Sequence, residues 1–431
     1  MGKAKTQAKK WFTLCILILG GGTIFKLSSL KDAFYIPMQE HFHLTHTQIG
    51  LALSTYAIVQ TIGYVCSIYI ADRFSKKILI PLGVIGTGLF GLYLSTFPSY
   101  YGILVSWGGM ALFADLLFWP VLIKAVKLLG DSGEQGRMFG FLEAGRGVVD
   151  TIVAFSALGI FMWLGSGAAG FRAAILFFAI TTIVVGIISY FFVEDDVVIK
   201  IVEDGEELSR NKQALKGALQ ALKIPELWVA SFVIFSVYSV YAGITYFIPF
   251  LREIYGMPVA LVGAYGIVNQ YGLKMVGGPI GGLLVDKKFK SATKYLRFTF
   301  LLSAVAMVIF ILLPHETMNI YIGMVATLGF GAIIFTQRAV FFAPLDEIDI
   351  PDQISGSAVV IACLVGYAPS IFAFTMYGSI LDAAPGMAGY RYVFMIMIAF
   401  ALMGFIISSY LAKLIKNKKE ANIKYNTNER V

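Results

Sequence analysis

Apolar runs of about 20 residues or more recur along the chain, separated by short polar segments. Each is long enough to cross about 30 Å of hydrocarbon as a helix rising 1.5 Å per residue. Twelve such runs occupy residues 11–36, 48–70, 78–97, 101–127, 138–164, 172–193, 226–250, 258–284, 295–313, 318–343, 354–380 and 388–414. The pattern predicts an all-α membrane protein with twelve transmembrane helices. The first run follows "MGKAKTQAKKW" directly, exceeds a signal-peptide core in length and has no small-residue cleavage pattern behind it, so a retained helix is expected.

The longest polar stretch, residues 194–225, carries charges of both signs and separates the sixth run from the seventh. It predicts an N-terminal six-helix bundle over 1–193, a central loop over 194–225, and a C-terminal six-helix bundle with its tail over 226–431. An internal repeat supports two halves: "IYIADRFSKKILI" (68–80) follows the second run and "GLLVDKKFKSATK" (282–294) the eighth, with Asp286 lying 214 residues after Asp72.

Composition agrees with a membrane solvent. Of the 431 residues 58% are hydrophobic and 14% charged, against about 25% charged in soluble domains. The net charge of +8 reads as topology. Lys3, Lys5, Lys9 and Lys10 precede the first run, Arg73, Lys76 and Lys77 follow the second, and Lys287, Lys288, Lys290 and Lys294 follow the eighth. Basic residues also fill the central loop and the tail, whereas the opposite loops carry mainly Arg172, Arg252 and Arg391. Both termini and the central loop are therefore expected on the cytoplasmic side. The basic residues form no stripe with interleaved aromatics, so nucleic acid is not an expected partner. Cys15, Cys66 and Cys363 fall in predicted helices at unrelated spacings, suggesting neither a disulfide framework nor a zinc site. No nucleotide-binding loop, nucleophile elbow or HExxH helix is present, so neither enzymatic catalysis nor ATP-driven pumping is expected, and no cofactor.

The two repeated loops resemble the motif that follows the second and eighth helices of major facilitator superfamily transporters. The first copy matches at Ile70, Ala71, Asp72, Arg73, Phe74, Lys76 and Lys77, the second at Gly282, Leu284, Asp286, Lys287 and Lys290; Ile68, Ser75 and Phe289 replace motif glycines. The resemblance implies two six-helix bundles around a midplane site, with these loops as a cytoplasmic gate.

A charge near the bilayer centre costs about 2.5–3.5 kcal/mol on insertion scales, so each one needs a partner or a role. Lys26, Asp115, Glu143, Arg146, Asp150 and Lys274 come out at intermediate depth, and Arg338 nearer the cytoplasmic end. Lys31 and Asp32 lie where they could snorkel to water. Within "GFLEAGRGVVD", Glu143, Arg146 and Asp150 share one helix face and can pair among themselves. They either brace the fifth helix or hold Arg146 toward a substrate.

The stretch "FWPVLIKAVKLLGDSGEQGRMFGFLEAGRGVVD" is similar to the fourth-to-fifth-helix region of the organophosphate:phosphate antiporter family, through Trp119, Pro120, Glu134 and Gly136. Arg146 stands where that family has a substrate-contacting histidine. Gly356, Ala358, Gly366 and Tyr367 match its eleventh helix. The family's two phosphate-binding arginines correspond to Ser29 and Tyr241, neither of which can supply a bidentate guanidinium. Positive charge is offered instead by Lys26, Arg146 and Lys274, with Lys26 or Lys274 alternatively paired to Asp115. Helices one, four, five, seven, eight, ten and eleven line the cavity in this superfamily, so Ser29, Tyr241 and Asn269 are further candidate contacts. Tyrosines on helices seven and eight could bind a polyol or carboxylate, although aromatics at helical spacing are mostly packing.

These residues lead to an inner-membrane secondary transporter, acting as a monomer in the lipid bilayer, that moves a small carboxylated or phosphorylated anion by proton symport or anion exchange. Asp115 and Asp150 are the candidate coupling carboxylates, with Glu143 and Arg338 in charge pairs. Export of a neutral or amphiphilic compound, or sensing of a sugar phosphate, are the alternatives. His41, His43 and His46 in "EHFHLTH" have a spacing that could hold zinc or sense pH; without cysteines or more carboxylates nearby, a hydrated loop and no metal are expected.

Overall fold

The computed structural model describes residues 2–129, 134–193, 217 and 219–428; within helices, the side chains of 2–6, 8, 64–73, 135–136, 352–353, 356, 419 and 421–428 fall outside that description. Among the described residues the chain is helical, without a strand, and forms twelve spans. Most of the central loop predicted over 194–225 lies outside the described residues.

Spans two, three, five and six are His46–Arg73, Lys76–Leu94, Gln135–Trp163 and Ala168–Phe192, and spans nine, ten and twelve are Ala292–Leu312, Ile320–Val340 and Met387–Asn428. Polar caps set several starts: Ser75, Ser291 and Asn319 accept hydrogen bonds from the N–H groups of Lys77, Lys294 and Tyr321.

The other five spans are interrupted. Span one runs Gly2–Thr23, passes through turns over 24–30, and resumes as Lys31–His41, with Phe34 non-helical three residues before Pro37. Span four joins Tyr100–Ala111 to Trp119–Leu129 through a π-helical segment, Leu112–Phe118. Span seven breaks between Pro225–Ile244 and Phe247–Tyr255, and span eleven between Asp352–Tyr367 and Pro369–Ala383. Span eight contains Val259–Ile267, a π-helical Val268–Gly272, Leu273–Leu284 and a π-helical Val285–Phe289. Such bulges leave backbone groups outside the i to i−4 ladder and concentrate at functional sites.

The chain forms two compact units. Unit 1 gathers Met1–Ile199, Thr245–Met275 and Phe374–Ala383; unit 2 gathers Lys200–Ile244, Val276–Ala373 and Ala384–Val431. Unit 1 thus holds the first six spans together with parts of spans seven, eight and eleven.

In unit 1, Asp382 accepts hydrogen bonds from the N–H groups of His46 (3.1 Å) and Thr47 (2.8 Å), capping span two. Ser54 and Thr375 share a hydroxyl hydrogen bond of 2.8 Å, and Tyr246 donates to the Phe374 carbonyl. His46 is buried, not hydrated as its loop position suggests: its ring lies 2.9 Å from the Tyr35 hydroxyl and 3.2 Å from Glu253. Gly266 packs so closely on the Asp32 carbonyl that no side chain fits there.

In unit 2, spans nine and ten are joined by Tyr295 donating to Thr336 (2.7 Å) and Gln337 donating to Ser303 (3.2 Å). Glu347, on the short helix Pro344–Glu347, accepts from Ser291 (3.0 Å) and from the Ala292 N–H at the start of span nine.

A carboxylate cap at a helix N-terminus contributes about 1 kcal/mol. Asp382→Ala is therefore expected to lower the stability of the solubilised protein by about 1–2 kcal/mol, read as a fall in thermal unfolding midpoint; an unchanged midpoint would show that the cap contributes nothing.

Candidate functional site

The interruption in span one positions Lys26. Its side chain is 2% exposed, and its Nζ lies 2.6 Å from Asp150 Oδ1 on span five. The ammonium also sits 3.6 Å from the ring centroid of Tyr271, a cation–π contact that gains strength where water is excluded. Tyr271 belongs to the π-helical turn of span eight and donates to Asp32 (3.2 Å), which pairs with Lys31. Asp150, Lys26, Tyr271, Asp32 and Lys31 therefore form one linked polar network inside unit 1. Lys31 and Asp32, placed by their sequence position where they could reach water, are buried in it.

Spacing allowed Glu143, Arg146 and Asp150 to pair among themselves. The structure keeps one of those pairs, Arg146 Nη1 to Glu143 at 2.7 Å, and gives Asp150 to Lys26 instead. Arg146 is 8% exposed, donates to the Gly21 carbonyl (3.1 Å) and lies 4.4 Å above the Trp119 ring, whereas Glu143 is exposed. The glycines of span one make this approach possible, since a Cβ at Gly21 would fall 2.9 Å from the Arg146 Cδ and one at Gly22 2.7 Å from Val149.

Asp115 lies on the π-helical segment of span four and is 1% exposed, while Lys26 pairs with Asp150. It accepts from Tyr56 and, at 2.8 Å, from Gln60, both on span two. Sequence reasoning missed these two residues; their signal was two polar side chains four apart on one face of an otherwise apolar helix.

Asn269, on the same π-helical turn as Tyr271, is 0% exposed, and neither atom of its amide has a hydrogen-bond partner among the described residues. A buried polar group left so costs about 1–3 kcal/mol. Ser29 lies half-buried in the interruption of span one, and Lys274 is exposed on span eight.

Unit 2 holds the other guanidinium. Arg338 on span ten donates to the Tyr238 hydroxyl (3.1 Å) and lies 4.0 Å from the ring centroid of Tyr241. Tyr367 of span eleven packs on Tyr238, centroids 4.6 Å apart. Among the described residues no carboxylate pairs with Arg338. Tyr241, which occupies a position where the resembled family has an arginine, thus forms a wall beside one.

Of the gate motif, Asp72 and Arg73 have side chains outside the described residues. Lys77 lies 6.0 Å from the Tyr190 ring, Lys76 is half-buried at the start of span three, and Asp286, Lys287 and Lys290 are exposed at the end of span eight. Glu134 pairs with Lys10.

A family model described as the Major Facilitator Superfamily matches residues 16–374. The chain belongs to the major facilitator superfamily. It is a twelve-helix, non-enzymatic membrane transporter. Inner membrane protein YihN of Escherichia coli (strain K12) is 52% identical over 412 residues, 96% of this chain and 97% of that one. Inner membrane protein YqcE of the same organism is 30% identical over 401 residues, 93% of each chain. Two solved structures share the fold: a bacterial homolog of the human lysosomal transporter Spinster (TM-score 0.75, 16% identity, covering 95% of this chain and 98% of that one), and a D-xylose-proton symporter (TM-score 0.66, 14% identity, 93% and 95%).

Removing one member of a buried ion pair costs about 3–5 kcal/mol, whereas neutralising both can be nearly free. Lys26→Met should therefore destabilise strongly, and Lys26→Met with Asp150→Asn should recover most of the loss in thermal unfolding; equal losses in both would show that the charges are uncoupled. Asn269→Leu should raise the unfolding midpoint by removing the unpartnered amide. A lower midpoint would mean the amide is satisfied.

Proposed function

We propose that the chain moves a small organic anion, carboxylated or phosphorylated, by alternating access, with proton symport or anion exchange as the driving step. The observation that carries this reading is Arg338. A guanidinium held between tyrosines, with no carboxylate among the described residues to neutralise it, keeps part of its N–H fork available for a carboxylate or phosphate oxygen pair. Lys26 and Arg146 are by contrast committed to Asp150 and Glu143.

In this reading Lys26–Asp150 is the coupling pair. When that pair separates, Asp150 is left as a buried carboxylate without its cation, and such a group takes up a proton rather than remain charged. The basic loops and the inner-membrane names of the E. coli relatives support placement in an inner membrane with both termini cytoplasmic.

The test is a thermal-shift screen of purified protein against carboxylates, sugar phosphates and neutral sugars, followed by uptake into liposomes. A ligand at 100 times its Kd stabilises by about 2.7 kcal/mol. An anion should shift wild type, Arg338→Ala should lose the shift, and Arg338→Lys should restore it only in part. Asp150→Asn should flatten the pH dependence of uptake. A neutral ligand that shifts wild type and Arg338→Ala alike would sink the anion reading and favour export of a neutral compound; anion binding without flux would point to a sensor.

A further inference from the structure

Unit 2 carries a cavity of about 500 Å³ formed by the start of span nine, the short helix Pro344–Glu347 and the later turns of span twelve. Five cations line it: Lys290, Lys294, Arg297, Lys413 and Lys416. Two carboxylates face them, and both are engaged. Glu347 accepts from the Ser291 hydroxyl and the Ala292 N–H, and Glu420 pairs with Lys416 at 3.7 Å. Among the described residues Lys290, Lys294, Arg297 and Lys413 have no carboxylate within ion-pair distance.

A second observation points to a ligand. Thr293, which also lines the cavity, is 1% exposed, and its hydroxyl has no hydrogen-bond partner among the described residues. Four uncompensated cations around a buried free hydroxyl make a receptor for an anion with several oxygens, of which phosphate is the commonest.

Ala412 and Ile415 contribute apolar surface to the cavity. The same two helices continue away from it with exposed apolar side chains: Phe298 and Leu301 beside Arg297 on span nine, Ile406 and Tyr410 before Lys413 on span twelve. On a membrane-spanning helix these face acyl chains. A polar receptor on helices that also carry lipid-facing apolar side chains matches an amphiphile, and basic pockets between transmembrane helices recognise anionic headgroups.

We propose that this cavity binds the headgroup phosphate of an anionic glycerophospholipid, a site separate from the Arg338 and Lys26 positions. Lys294, Arg297 and Lys413 neutralise the phosphate, and Thr293 donates its hydroxyl hydrogen to a phosphate oxygen.

The experiment is native mass spectrometry of delipidated full-length protein offered equal amounts of phosphatidylglycerol and phosphatidylcholine. Wild type should retain phosphatidylglycerol selectively. Lys294→Ala and Arg297→Ala should each weaken that retention about fivefold, and Lys413→Gln, an exposed position that leaves packing intact, should do the same if either alanine variant fails to fold. Equal retention of both lipids, or phosphatidylglycerol retention indifferent to these substitutions, would overturn the proposal. A second arm adds millimolar inorganic phosphate to lipid-free protein in a thermal-shift assay. Stabilisation of wild type and not Arg297→Ala, without phosphatidylglycerol retention, would assign the cavity to a soluble phosphate and overturn the lipid source.

Discussion

An ammonium ion removed from water holds unit 1 to its shape. Lys26 can be 2% exposed only because Asp150 meets it at 2.6 Å and the face of Tyr271 lies beneath it. Those partners come from spans five and eight, and Lys26 itself sits where the hydrogen-bond ladder of span one is interrupted. The interruption, the π-helical turn that carries Tyr271 and the register of span five all have to agree for one charge to be neutralised. Shape follows from that agreement as much as from apolar packing, since apolar burial is non-directional and would accept a rotation of span five that an ion pair does not.

The two guanidiniums show how context decides what a residue can do. Arg146 and Arg338 each stack on an aromatic ring, at 4.4 Å and 4.0 Å. Arg146 also has a carboxylate and a backbone carbonyl, and the missing side chain at Gly21 admits its stem. It is fastened. Arg338 has hydroxyls and ring faces, which orient a cation and leave its charge largely intact.

The twelve spans were legible in the sequence because length and hydropathy alone determine what can cross hydrocarbon. The membership of Lys26, Arg146 and Asp150 in a charged interior set was legible for the same reason: charge at depth is expensive. Their pairing was not. Spacing along span five predicts that Arg146 has Asp150 within reach, but it cannot see Lys26, more than a hundred residues earlier, competing for the same carboxylate. Nor does hydropathy register the breaks in spans one and seven or the π-helical turns, because an interrupted helix and a continuous one bury the same side chains. The tyrosines of span seven were equally ambiguous. Tyr238 and Tyr241 have the spacing of packing residues, and only Arg338 between them gives them another role.

One feature of the backbone reaches beyond any single residue. The places where the chain passes from one compact unit to the other within a span are Ile244/Thr245, Met275/Val276 and Ala373/Phe374. Each lies at or within about two turns of an interruption: the break of span seven, the π-helical turn of span eight and the break before Pro369 in span eleven. A continuous helix resists bending because every turn is tied to the next by backbone hydrogen bonds, and an interrupted one has already given some of them up. The mechanical compliance of these three rods is thus concentrated at their crossings, so deformation imposed on them is absorbed over a few residues while the helical segments on either side stay straight.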